Sequence, residues 1–165
     1  MRLIPSLIAL GFASASLALP AASDPSTEAA SELVEARSQM TEEIAQSLWT
    51  WAEVGYQETQ STQLLQDQLE MEGFTIEAGV ADIPTAFIAE YGSGGPVIAI
   101  LAEMDALPGI NQGATPVREP VENKHAGQAC GHNLFGAGSV SAAVAIRHWL
   151  EDTGTEGTVR LYGTP

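Results

Sequence analysis

Cys130-Gly131-His132 sets a thiol and an imidazole two residues apart, downstream of an apolar run that ends in Glu103-Met104-Asp105. Thiolate sulfur and imidazole nitrogen are the donors that a borderline divalent cation such as zinc prefers. In an extended segment, residues i and i+2 face the same way, so both side chains could turn to one ion. Carboxylates just past the end of a strand, as Glu103 and Asp105 are placed, can bind a metal or hold a ligating imidazole by its second nitrogen. Asp105, followed by the sharp exit Ala106-Leu107-Pro108-Gly109, reads as a functional acid. For Glu103 the alternative is an acid that simply faces solvent.

Other readings of the cysteine stay open. It could be a buried structural thiol or a nucleophile. Gln128-Ala129-Cys130-Gly131 matches most of the caspase signature, but His132 takes the fifth place and no histidine precedes His125, so the required upstream base is missing. A papain-like nucleophile needs a histidine far downstream, and none lies beyond His148. His125, in a polar loop close to the cysteine, and Asn133 are candidates for lining the site. His148, at the end of a helix, suits a surface position near the negative end of the helix dipole. Gly136-Ala137-Gly138-Ser139-Val140-Ser141 approaches a dinucleotide fingerprint but follows no strand and ends in serine. Trp49 and Trp51 read as helix-packing residues.

The elements that would carry these groups alternate in type. Helical spacing of Leu33, Val34, Met40, Ile44, Leu48 and Trp51 predicts one helix from Asp24-Pro25 to about Val54. A second follows, with Leu64, Leu65, Leu69 and Met71 on its inner face and Gly73 as its stop. Phe74–Glu77 reads as a strand. The runs 85–91 and 96–102, joined by Gly92-Ser93-Gly94-Gly95, read as a hairpin, and the wholly apolar second run reads as a central strand covered on both faces. Gly109 to Gln128 has no period and reads as a long loop. Leu134 to Leu150 predicts a helix whose first half is small residues suited to close packing on a sheet. Thr158–Tyr162 predicts a last strand. The fold class is α/β, a layered domain with a central mixed sheet flanked by helices.

The chain has 165 residues and a formal charge of −15, from 21 acidic and 6 basic side chains. Such a surface repels phosphate backbones and anionic lipid, which argues against nucleic-acid and membrane partners. Arg2 and the apolar run Leu3–Leu19 read as a signal peptide cleaved after Ala18, with Ala22 as a second candidate, leaving residues 23–165 as the exported domain. The run falls short of the roughly 20 residues a membrane span requires. The expected location is periplasmic or secreted. There a lone cysteine has no intrachain partner, which favours a functional thiol.

Four stretches together, 48–58, 98–109, 130–133 and 157–165, resemble the dinuclear metal amidohydrolases and peptidases of the aminoacylase and carboxypeptidase-G type. The resemblance implies a zinc-peptidase-like catalytic domain, here truncated, with two zinc or manganese ions in the complete enzyme. It implies that Cys130 and His132 are metal ligands and that Asp105 supports a metal-binding histidine. Glu103 stands where many relatives carry that histidine. The general-base glutamate and the later histidine ligands of the family fall outside residues 1–165. The implied activity is hydrolysis of an amide bond in an acyl or aroyl amino acid, such as p-aminobenzoyl-glutamate, by a homodimer. The alternatives are a dipeptidase or carboxypeptidase of the same fold and a non-catalytic remnant.

Overall fold

A computed structural model describes residues 25–165; the expected leader, with both cleavage positions, lies outside the described residues. The chain runs through α1 (Pro25–Ala36), α2 (Ser38–Trp51), α3 (Thr59–Met71), β1 (Thr75–Ala78), β2 (Phe87–Ser93), β3 (Val97–Glu103), β4 (Leu107–Pro108), β5 (Ala126–Gly127), α4 (His132–Thr153) and β6 (Gly157–Thr164). The main sheet has the order β1-β2-β6-β3, with β6 antiparallel to β2 and parallel to β3. This is the mixed α/β domain expected from the change of hydrophobic period along the chain.

The core lies between one face of that sheet and the helices. Leu48 of α2, Leu65 and Leu69 of α3, and Val140 and Val144 of α4 meet Phe87, Ala102, Val159 and Leu161, all fully buried. On the opposite face Arg160 reaches across to Glu90, its register partner. The small residues of α4 let it approach the sheet closely. A Cβ added at Gly136 would lie 2.8 Å from the Glu103 carbonyl oxygen.

Three expectations are corrected. The predicted single helix is two, because Arg37 leaves helical geometry at φ −100°, ψ 3°. Its guanidinium pairs with Glu72, just past the end of α3, and this tie accompanies the break. β2 and β3 do not form a hairpin, because β6 lies between them. β3 is therefore an edge strand and not a central one, with Val97, Ile98 and Leu101 each about half exposed. Periodicity shows that a strand is apolar but not which strands will flank it.

The stretch 109–128 is more ordered than its composition suggests. Antiparallel β4 and β5 close its base, pairing Leu107 with Gly127. Gln112 forms the hub: its Nε2 donates to the Val117 carbonyl at 2.7 Å, and its Oε1 accepts from the Glu119 N–H at 3.1 Å. A side-chain amide that replaces a ladder in this way leaves no periodic trace in the sequence.

Candidate metal centre

The parallel unit β3–α4–β6 builds the site. β3 delivers Glu103 and Asp105 at its carboxyl end, and α4 begins there with His132. The crevice beyond the carboxyl ends of strands is where α/β sheets gather ligands. Two ties hold the exit of β3. The Ala106 N–H donates to the Glu53 carbonyl at 2.7 Å, and Val54 bridges to Ala106 in parallel. The Gln128 amide donates to the Met104 carbonyl at 3.4 Å and accepts the Asn133 N–H at 3.1 Å, binding the loop ahead of α4 to the end of β3.

The structure brings three of the candidates together. His132 Nδ1 donates to Asp105 Oδ1 at 2.5 Å, and its Nε2 lies 2.7 Å from Glu103 Oε2. With a carboxylate oxygen within hydrogen-bond distance of each ring nitrogen, the imidazole is fixed in plane. The contact to Asp105 has the geometry of a carboxylate that orients a ligating histidine, leaving Nε2 as the coordinating atom. Glu103, more exposed than Asp105, is the group that would share or yield that position.

Cys130 is exposed, against the buried-thiol reading for these 165 residues. It does not share an extended segment with His132. Gly131 has φ 86°, ψ 22°, and its carbonyl accepts the first amides of α4, from Leu134 and Phe135. The chain thus turns between the two side chains, and the i, i+2 argument does not hold. Among the described residues no group of three or more His, Cys, Asp or Glu side chains is arranged to hold a metal ion.

Two lining candidates face elsewhere. Asn133 is buried, and its amide donates to the Ala45 carbonyl of α2 at 3.1 Å. His125 is exposed and lines a cavity of about 780 Å³ with Trp49 and Trp51. Residues that the sequence left in the background prove distinctive. Glu53 caps α3 from a distance: its carboxylate accepts the backbone N–H groups of Gln60 and Ser61 and the Ser61 hydroxyl. Burial raises the Glu53 pKa, but these hydrogen bonds outweigh it and hold the carboxyl below its ordinary value of 4.5. Glu58, fully buried at the start of α3, accepts the Tyr56 N–H through Oε1, while its Oε2 has no partner among the described residues. An acid six residues ahead of a Thr-Gln-Ser helix start was the available signal for Glu53; nothing in the local pattern marked Glu58.

The fold matches those of known proteins. A Bacillus subtilis dinuclear metal-binding peptidase of the M20 family superposes with a TM-score of 0.58 at 28% identity, covering 84% of this chain and 36% of that one. A structure from methicillin-resistant Staphylococcus aureus, provisionally described as an aminohydrolase, gives a TM-score of 0.69 at 23% identity over 84% of this chain and 34% of its own. The chain belongs with the M20 metal-dependent peptidases and amidohydrolases. More particularly, it is a homologue of one of the subunits of Escherichia coli p-aminobenzoyl-glutamate hydrolase, 44% identical over 138 residues, which are 81% of this chain and 28% of that protein. The chain thus spans less than a third of that relative. No family model matches it.

Proposed function

We propose that the complete protein hydrolyses the amide bond of an acyl or aroyl amino acid of the p-aminobenzoyl-glutamate kind, using divalent metal ions, and that this chain supplies part of the metal centre. The observation that carries the reading is the His132 ring, held between Asp105 and Glu103 at the carboxyl end of β3. The homology to a hydrolase of that substrate supports it.

The donors present suit such ions. Sulfur, imidazole nitrogen and carboxylate oxygen together form a borderline set that accepts zinc or manganese. Cys130 and His132 would hold the metal, and Asp105 would keep the His132 ring in one tautomer and one plane. Divalent cations supply Lewis acidity toward an amide carbonyl and lower the pKa of water. On this reading the general base and the remaining ligands are supplied by parts of the protein outside residues 1–165. Two further readings go with this one: Met1–Ala18 is an export leader, and the complete enzyme is a homodimer.

The test is release of p-aminobenzoate from p-aminobenzoyl-glutamate. The complete protein should turn the substrate over and lose activity on chelation, while the 165-residue chain alone should show negligible turnover. Hydrolysis by the chain alone, or chelator-resistant hydrolysis by the complete protein, would contradict the proposal.

A further inference from the structure

Three neighbouring cavities share Trp49 as a wall. In two of them Lys124 is a second wall, and its ammonium sits 3.6 Å from the Trp49 ring centroid. Among the described residues, Arg37, Arg147 and Arg160 are each engaged by a carboxylate; Arg118, which is exposed, and Lys124, which is partly buried, are engaged by none. Its contacts are the indole face and, at 3.4 Å, the Gln112 carbonyl. In a chain of charge −15, a half-buried cation with no acid partner is out of keeping with its surroundings.

The smaller of the two cavities, about 280 Å³, has Lys124 as its only charged lining residue, with Trp49, Gln112, Thr115, Gly127 and Gln128 around it. Glu119 and Glu122 line the larger neighbour instead. The walls are preformed. Gln112 is saturated by its own loop, and Gln128 is tied to Met104 and to the Asn133 amide, next in sequence to His132. Burial pushes the Lys124 ammonium below its ordinary value, a cost that an incoming carboxylate would offset. An aromatic face beside a free ammonium suits a ligand that joins an apolar or planar body to an anionic group.

We infer that Lys124 and Trp49 form a carboxylate-binding subsite in this cavity, taking the amino-acid carboxylate of the substrate. The inference rests on the amidohydrolase reading for the identity of the ligand, but not for the existence of the subsite. Lys124 is then a binding residue with no part in bond cleavage.

The test is a tryptophan-fluorescence titration of the 165-residue chain with N-benzoyl-glutamate and with its uncharged diamide. The probe should bind saturably, and the diamide at least about tenfold more weakly, the scale of one charge-assisted hydrogen bond. Lys124→Met keeps the aliphatic stem over the indole and should lose the same factor, Lys124→Arg should restore binding, and circular dichroism should show the fold unchanged in both. Equal affinity for acid and diamide, an unaffected Lys124→Met variant, or no binding at all would overturn the subsite. In the complete protein, normal KM in Lys124→Met retires the subsite and leaves the hydrolase reading standing. Lys124-dependent binding without any hydrolysis does the reverse.

Discussion

Two glycines two residues apart on α4 should respond to the same substitution with opposite signs. Gly136 faces the sheet, where an added Cβ would lie 2.8 Å from the Glu103 carbonyl oxygen and 3.4 Å from Leu48 Cδ2. The first contact is shorter than Cβ atoms tolerate, and its partner is backbone, so the helix or the end of β3 must shift. Overpacking of this kind costs about 1–3 kcal/mol. Gly138 is exposed and nothing lies within 4 Å of its Cβ position, so alanine there gains helix propensity, about 0.5–1 kcal/mol. The two variants should therefore differ by about 1.5–4 kcal/mol. At about 2–4 °C per kcal/mol for a domain of this size, Gly136→Ala should lower Tm by about 2–12 °C, and Gly138→Ala should raise it slightly. Urea unfolding followed by far-ultraviolet circular dichroism measures both. Stabilisation by Gly136→Ala, or equal destabilisation by the two, would refute the close approach of α4 to β3 on which the site depends.

Other expected outcomes are more local. Glu53→Gln removes the distant cap of α3 and should cost about 1 kcal/mol at neutral pH. Because the folded state holds the Glu53 carboxyl below 4.5, its contribution is present above that pH and is lost as the pH falls through the lowered value. The stability difference between wild type and Glu53→Gln should therefore shrink on acidification, and a constant difference in paired denaturation series would oppose this. The exposed edge β3 presents Val97, Ile98 and Leu101 without cover, so the isolated chain should self-associate. Ile98→Lys should reduce that association in light scattering, and a monomeric wild type would count against it.

How much of this was legible in the sequence depended on the range of the interaction. Leu65 and Leu69, or Val140 and Val144, declare a helix face through their neighbours alone, so the elements emerged largely as expected. The pairing of β2 with β6 joins residues some 70 positions apart, Glu90 with Arg160, and no local period encodes it. The same is true of the site. Asp105 and His132 were marked by residue type and by position at a strand end and a helix start, and they do meet. Cys130 was joined to His132 by an argument from extended geometry that the left-handed Gly131 removes. Trp49 read as a helix-packing residue, whereas the loop that folds back over it brings Lys124 onto its face. Asn133 looked like a site residue from its neighbours, but the buried Ala45 carbonyl claims its amide.

The central claim is that Cys130 and His132 are metal ligands of the complete protein. Elemental analysis of purified wild type and of Cys130→Ser, at matched folding by circular dichroism, tests it most directly. Wild type should carry close to two zinc or manganese ions per protomer, and Cys130→Ser clearly fewer. Equal metal content in the two proteins would contradict the assignment.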